Sequence, residues 1–211
     1  MSREELERFC DGYDSAVVEA TKAVIGGKCA GCVALVRPPG HHAMKNESNG
    51  FCILNNVGVA ASYALKHLGV KKVLIIDWDV HYGQGVQKRN GNAQDCSFLP
   101  FVEEAEWNRT SRFNGEGFNV NIPLDEVNLD DKDYLAVFRH IIVPIALEYQ
   151  SDLVFVSAGY DAAVGCPLGN VRVSPQAFGL QSVNDFFIQI NLYLKILSLT
   201  RAVAYYAVFN S

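Results

Sequence analysis

The fold is decided by the stretch VLIIDWDVH, residues 73–81. Its first four residues are aliphatic or β-branched and too few for a helix, so they predict a buried parallel strand that ends at Asp77. Because side chains two positions apart on an extended chain point the same way, we expect Asp77, Asp79 and His81 to project to one side where the strand ends. Two carboxylates and an imidazole in this position are typical of metal ligands. Capping of the next turn explains one aspartate at a strand end, but it explains three polar residues in register poorly.

A second short apolar run, residues 153–156, ends in polar residues of the same kind. Ser157-Ala158-Gly159 lets the backbone turn after it, and Asp161 follows. In open parallel sheets, ligands bind beyond the carboxyl ends of the strands, so we expect Asp79, His81 and Asp161 to meet at one ion. One imidazole nitrogen and two carboxylate oxygens, with a coordination position left open, suit a catalytic zinc better than a closed structural site.

A third apolar run, residues 33–36, precedes Pro38-Pro39-Gly40 and then His41 and His42. The prolines and the glycine predict an extended stretch and a turn, in which adjacent histidines need not point to opposite faces. A lone histidine after a turn is usually a surface residue. Two histidines at the end of a core strand instead fit a proton acceptor and a second, electrostatic group beside an activated water.

These runs belong to a longer series of motifs. In chain order the motifs are Arg37 to Ala43, Gly50-Phe51-Cys52, Asn55-Asn56, Asp77 to Gly83, Ser157 to Ala162 and Pro167-Leu168-Gly169. Together they resemble the zinc-dependent histone deacetylase family, above all its class II branch, which includes tubulin and polyamine deacetylases. The resemblance covers residues 12–180 and leaves residues 181–211 as a divergent tail, which implies a single, partial deacetylase-like domain over residues 1–211.

The resemblance implies a role for each residue at the strand ends. Asp79, His81 and Asp161 are the expected zinc ligands, and zinc in the family polarises the acetyl carbonyl and lowers the pKa of the attacking water. His42 is the expected general base, which later delivers a proton to the leaving amine. His41 is expected to help stabilise the charged intermediate.

The resemblance also implies roles for the residues around this centre. Asp77 is expected to orient His41. Gly50, Phe51 and Phe98 are expected to line the narrow tunnel that holds the acyl-lysine chain. The family further holds a structural potassium ion around Asp77, and we expect that site to be incomplete here because part of the chain that builds it is missing.

Several departures from the family pattern bear on activity. Tyr82 stands where the family has a second histidine, and Gln84 stands where an Asn or Asp contacts the general base. Gln84 can still accept a hydrogen bond, although it carries no charge. Residues 88–95 are polar and show no strand pattern where the family has a sheet strand, and residues 181–211 contain no Gly-Gly-Tyr segment to supply an oxyanion donor. Loss of one such donor typically lowers turnover about 10²- to 10³-fold.

Three functional hypotheses follow. The first is a zinc-dependent deacetylase that acts on acetyl-lysine in histone tails, tubulin or other proteins, or on acetylated polyamines. The second is a catalytically impaired or inactive truncated isoform of the same family that acts by binding, which the missing tyrosine and strand favour. The third, an arginase-type ureohydrolase, requires a binuclear manganese site with more Asp and His ligands than the sequence supplies.

Composition bounds these hypotheses. A chain of 211 residues, 49% hydrophobic and 19% charged, is long enough for one sizeable core and too short to suggest two domains. The net charge of -5 argues against direct binding to nucleic acid. The charged residues 1–8 do not form a signal peptide, so we expect the cytoplasm, the nucleus or both. Lys195 and Arg201 interrupt the apolar residues 186–209, which predicts a buried helix rather than a membrane span.

Helical and strand patterns alternate along the chain. Helices are predicted over residues 14–25, 56–68 and 131–149, with a bend at Pro144 in the last. A further strand is predicted over residues 118–122. Helices between parallel strands imply a three-layer α/β/α sandwich with a mostly parallel sheet, of the arginase and deacetylase type but incomplete relative to the family.

Overall fold

The computed structural model describes residues 16–44, 46–88, 105–109, 117–124, 126–183 and 195–201 of the chain. Four strands in these residues form one parallel sheet in the order β1-β4-β3-β2. The strands are β1 (Gly31–Val36), β2 (Val73–Asp77), β3 (Leu153–Ala158) and β4 (Lys195–Arg201). The three strands predicted before polar clusters are therefore confirmed, and so is the α/β fold with a parallel sheet.

Helices pack on both faces of this sheet. They are α1 (Ala16–Ile25), α2 (Asn56–His67), α3 (Gln84–Lys88), α4 (Asp131–Val137), α5 (Val143–Tyr149) and α6 (Pro175–Val183). Helices α1 and α2 cover one face, where Leu153 and Phe155 are fully buried. Helices α4 and α6 cover the other face, where Val154 and Val156 are buried. Alternate residues of β3 thus enter two different cores, which is why its first four residues are all apolar.

The register between β2 and β3 is fixed at the amino ends of the two strands. The carboxylate of Asp152 accepts the backbone N–H groups of Lys71 and Lys72 at 2.8 and 2.9 Å, and the Asp152 N–H donates to the Lys72 carbonyl at 2.9 Å. The two backbone N–H donors hold the pKa of the Asp152 carboxyl below its usual range. The resulting register places Asp77 opposite Ser157, so both strands end at the same edge of the sheet.

The predicted helix over residues 131–149 is present, but it changes its hydrogen bonding in the middle. Residues Phe138–Ile142 form a π-helical turn between α4 and α5, and the Val143 N–H donates to the Phe138 carbonyl, five residues back. Pro144 follows directly, and a proline has no N–H to continue the α-helical ladder. The disturbance expected at Pro144 therefore appears as a π-helical turn before it.

Two other predictions of secondary structure are wrong. Residues 117–124 contain no strand, and Asn119 and Asn121 bond each other through their side chains at 2.9 Å. Phe118 and Val120 are exposed, so the apolar alternation faces solvent and not a core. Residues 195–201 form β4 and not a helix, because a short apolar run in a buried parallel strand cannot be told from a buried helix by periodicity.

The described part of the chain has no helix with the length and apolar character needed to span a bilayer. Phe98 and residues 89–95 lie outside the described residues, so the predictions made for them have no structural counterpart here.

Candidate metal centre

Asp79, His81 and Asp161 lie together at the carboxyl edge of the sheet, and each offers one ligand atom within 4.8 Å of the others. The His81 Nδ1 atom lies 2.6 Å from Asp161 Oδ2 and 3.1 Å from Asp79 Oδ1. The two carboxylates are buried, with 1% and 0% of their side chains exposed, whereas the His81 side chain is 27% exposed. Solvent therefore reaches the cluster mainly at the imidazole of His81.

The backbone after β2 folds around the carboxylates of the cluster. Asp79 Oδ1 accepts the His81 N–H at 2.9 Å, and Asp161 Oδ1 accepts the Val80 N–H at 3.1 Å. Asp77 Oδ1 accepts the Asp79 N–H at 3.2 Å. These bonds end the extended conformation at Asp77, which lies outside the cluster. Its Oδ2 atom lies 3.0 Å from His41 Nδ1.

Electrostatics favour a positive charge in this cluster. Hydrogen bonds to Asp161 and Asp79 raise the pKa of His81 to about 10. Burial raises the pKa of Asp161, and its hydrogen bond to His81 opposes that effect. Two buried carboxylates around one imidazole thus hold a proton on His81 at neutral pH, and a divalent cation would compete for the same position.

The two histidines after β1 lie beside the cluster but have different partners. His41 Nδ1 lies 3.0 Å from Asp77 Oδ2, and His41 Nε2 lies at ion-pair distance, 3.6 Å, from Asp79 Oδ2. His42 Nδ1 lies 2.7 Å from Gln84 Oε1. Both histidines are buried, their ring centroids are 3.8 Å apart, and the His42 and His81 centroids are 6.3 Å apart.

Close backbone packing brings Gln84 to His42. The Gly85 N–H donates to the His41 carbonyl at 2.9 Å, and a Cβ on Gly85 would lie 2.9 Å from the Ala43 backbone carbon. Glycine at this position therefore lets the start of α3 lie against the histidine loop. Gln84 can accept a hydrogen bond by its side-chain chemistry, and its Oε1 atom lies within hydrogen-bond distance of His42 Nδ1.

Gly50 and Phe51 lie in a tight turn that contacts His42 through Cys52. Asn49 and Cys52 exchange two backbone hydrogen bonds, and Gly50 and Phe51 both have positive φ, 49° and 63°. Phe51 is 83% exposed at the tip of this turn. Cys52 Sγ accepts the His42 N–H at 3.4 Å, a contact that the sequence reasoning missed. No spacing in the sequence indicates that contact, because it joins two separate loops.

The donor set fits a mononuclear zinc ion. Zinc in catalytic sites takes three protein ligands of the His and carboxylate type and keeps one position open. The cluster offers one imidazole and two carboxylates within reach of a single ion, and the backbone N–H groups already orient both carboxylates. Asp79, His81 and Asp161 would hold the ion, and His41 and His42 lie beside this cluster.

The fold and this centre define an α/β domain with a candidate mononuclear metal site at the carboxyl edge of a parallel sheet, an arrangement used by metal-dependent hydrolases. More narrowly, the chain belongs to the histone deacetylase family. The family model described as histone deacetylase domain matches residues 2–199.

Individual relatives agree with the family assignment. Polyamine deacetylase HDAC10 of Rattus norvegicus is 40% identical over 210 residues, which is 84% of this chain and 35% of the relative. Histone deacetylase 18 of Arabidopsis thaliana is 42% identical over 179 residues, which is 78% of this chain and 26% of the relative. The crystal structure of the HDA15 HD domain superimposes with a TM-score of 0.75 at 36% identity, covering 87% of this chain and 55% of that one. The chain thus spans about a third or less of the length of these two curated relatives.

Proposed function

We propose that this chain is a zinc-dependent deacetylase domain that hydrolyses the amide bond of acetyl-lysine. The observation that carries the proposal is the cluster of Asp79, His81 and Asp161 with His42 beside it, the two imidazole centroids being 6.3 Å apart. We propose that His42 reaches the reacting water from this position, as a general base must. When bound, zinc supplies Lewis-acid polarisation of the acetyl carbonyl and a lowered pKa for water.

His42 is the better candidate for the general base because of its partner. An amide oxygen can only accept a hydrogen bond, so the contact with Gln84 Oε1 keeps the proton on His42 Nδ1 and the lone pair on Nε2. Nε2 can then take a proton from water as the water oxygen bonds to the acyl carbon. The same nitrogen returns the proton to the amine when the C–N bond breaks, which gives acetate and a free lysine.

His41 is suited to a different task. Carboxylates lie beside both of its ring nitrogens, Asp77 at 3.0 Å and Asp79 at 3.6 Å, and both favour the protonated imidazole. In its protonated form the ring could not accept the proton of water, but it could stabilise negative charge on the acyl oxygen. The two histidines therefore have different proposed roles. The amide of Gln84 lies beside His42, the proposed general base, whereas the carboxyl group of Asp77 lies beside His41, the proposed electrostatic group.

The substrate class is proposed from the turn that carries Gly50 and Phe51. The exposed Phe51 ring, on the turn that contacts His42 through Cys52, suits one wall of a channel for an aliphatic lysine side chain, and Phe98 is proposed for the same channel. Acetyl-lysine in histones, tubulin or other proteins and acetylated polyamines all present such a chain. We also propose that a potassium ion binds beside Asp77. The proposed location of the protein is the cytoplasm, the nucleus or both.

The test is deacetylation of an acetyl-lysine peptide and of an acetylated polyamine by the purified, zinc-loaded chain. We expect turnover that falls at least about 100-fold in His42→Ala, since general acid–base groups contribute at least that much. His140→Ala is the matched control, because His140 is exposed on the π-helical turn. Equal zinc-dependent rates for the wild-type chain and His42→Ala would refute the enzymatic proposal.

A second candidate function is binding of acetyl-lysine without turnover. Gln84 favours it, because this residue stands beside His42 where the family has an Asn or Asp, and it carries no charge. Fluorescence anisotropy with a labelled acetyl-lysine peptide separates the two candidates. Zinc-dependent binding with no release of acetate supports the binding function, whereas release of acetate supports the enzyme.

A further inference from the structure

The turn after β3 brings the backbone of Gly159 against the side chain of Asp79. A Cβ atom added to Gly159 would lie 2.6 Å from the Asp79 Cβ, and it would also overlap the Asp79 Cγ and Oδ2 atoms. Approaches under 3.0 Å are essentially never made by real Cβ atoms. Because the Asp79 Cβ itself is too close, rotation of the carboxylate alone cannot relieve the overlap.

Space, and not backbone conformation, requires glycine at this position. Gly27, Gly69 and Gly165 have positive φ values of 72°, 72° and 89°, whereas Gly159 is not among the residues with positive φ. An alanine could therefore adopt the Gly159 backbone conformation without strain. Its methyl group has no room, because the buried side chain of Asp79 occupies that space.

We propose that Gly159 is a positioning residue for the metal centre: because it has no side chain, Asp79 can lie beside the other two ligands. The proposal rests on the proposed metal site. Asp79 Oδ1 lies 3.1 Å from His81 Nδ1, and its Oδ2 faces His41 Nε2 at 3.6 Å. A side chain at residue 159 would push Asp79 away from both contacts. Gly159 stands two residues before Asp161, so one turn supplies a ligand and makes room for another.

The first test measures zinc affinity of the full chain by competition with a chromophoric chelator. We expect Gly159→Ala to bind zinc about 10- to 100-fold more weakly than wild type, the usual effect of losing a group that orients a ligand. Gly179→Ala in α6 is the matched control, since a Cβ there meets nothing within 4 Å. Gly159→Ala with wild-type affinity would overturn the positioning role, whereas a wild-type chain that binds no zinc would instead refute the proposed metal site.

The second test needs neither metal nor activity. Thermal unfolding of the metal-free chain is compared for Gly159→Ala in the wild-type background and in an Asp79→Gly background, where the side chain that overlaps the new methyl group is gone. We expect Gly159→Ala to lower the Tm in the first background and to leave it nearly unchanged in the second. If Gly159→Ala fails to fold alone, recovery of folding in the double variant supports the proposal. Equal losses in both backgrounds, or no recovery, would overturn it.

Discussion

Zinc binding at the candidate centre should become tighter as pH rises, because the ion must displace a proton from His81. The pKa of His81 is raised to about 10 by its hydrogen bonds to Asp161 and Asp79. At pH 7.5, therefore, only about one metal-free molecule in 300 has the neutral imidazole that zinc requires. Below pH 10 the apparent affinity should rise about tenfold per pH unit, and so about 100-fold between roughly pH 6.5 and 8.5.

Two measurements check this expectation. Competition with a chelator of known pH dependence gives the slope of affinity against pH. Calorimetry in two buffers of different ionisation enthalpy gives the number of protons released, which we expect to be about one at pH 7.5. The variant His81→Asn should lose both effects together with most of the affinity. A wild-type affinity that does not change with pH would mean that His81 is already neutral, and the electrostatic description of the centre would then be wrong.

The same pKa predicts the opposite trend for the stability of the metal-free chain. The folded-state pKa of His81 lies above the ordinary value of 6.5, so its stabilising contribution is fully present below pH 6.5 and is lost as pH rises towards about 10. The Tm of the metal-free protein should fall over this interval, whereas that of the zinc-loaded protein should not. Differential scanning calorimetry of both forms tests the divergence.

Three further outcomes are expected. Gln84→Glu places a carboxylate beside His42 and raises its pKa, so the acid limb of the profile of kcat/KM against pH should move to higher pH. Asp152→Ala should lower the Tm by a few degrees at pH 7, since the backbone N–H groups of Lys71 and Lys72 lose their acceptor and a hydrogen bond contributes about 1 kcal/mol; the difference should shrink at acid pH, where wild-type Asp152 becomes protonated. Phe155→Ala should destabilise the chain by about 3 to 5 kcal/mol in denaturant titrations, against little change for the half-exposed Leu65→Ala.

Much of this fold could be predicted from the sequence because buried parallel strands have a simple signature. Three of the four described strands are short apolar runs that end directly before polar residues. Parallel strands expose their carboxyl ends at a common edge, so predicting the strands also predicts that Asp79, His81 and Asp161 meet. The cluster is confirmed as a geometric feature, whereas its catalytic use is a proposal.

What the sequence could not predict depends on contacts between distant segments. The carboxylate of Asp77 lies 3.0 Å from His41 Nδ1, a contact between segments 36 residues apart that spacing along the chain does not indicate. The close approach of the Gly159 backbone to the Asp79 side chain joins positions 80 residues apart, and no local sequence pattern indicates it. Strand β4 was predicted as a helix because only its two neighbours in the sheet decide its conformation.

That strand explains how the two parts of the centre come together. β4 lies between β1 and β3, pairing Arg201 with Val36 and Thr200 with Ala158. Neighbouring strands are about 4.8 Å apart, so the ends of β1 and β3 are separated by roughly 10 Å. Asp161 is the third residue after β3, whereas the histidines must cross that width, and the four residues 37–40 have a maximum reach of about 13 Å. The 3.6 Å approach of His41 to Asp79 shows that the loop completes the crossing. The geometry of the centre therefore depends on β4, although β4 supplies none of the three candidate ligands.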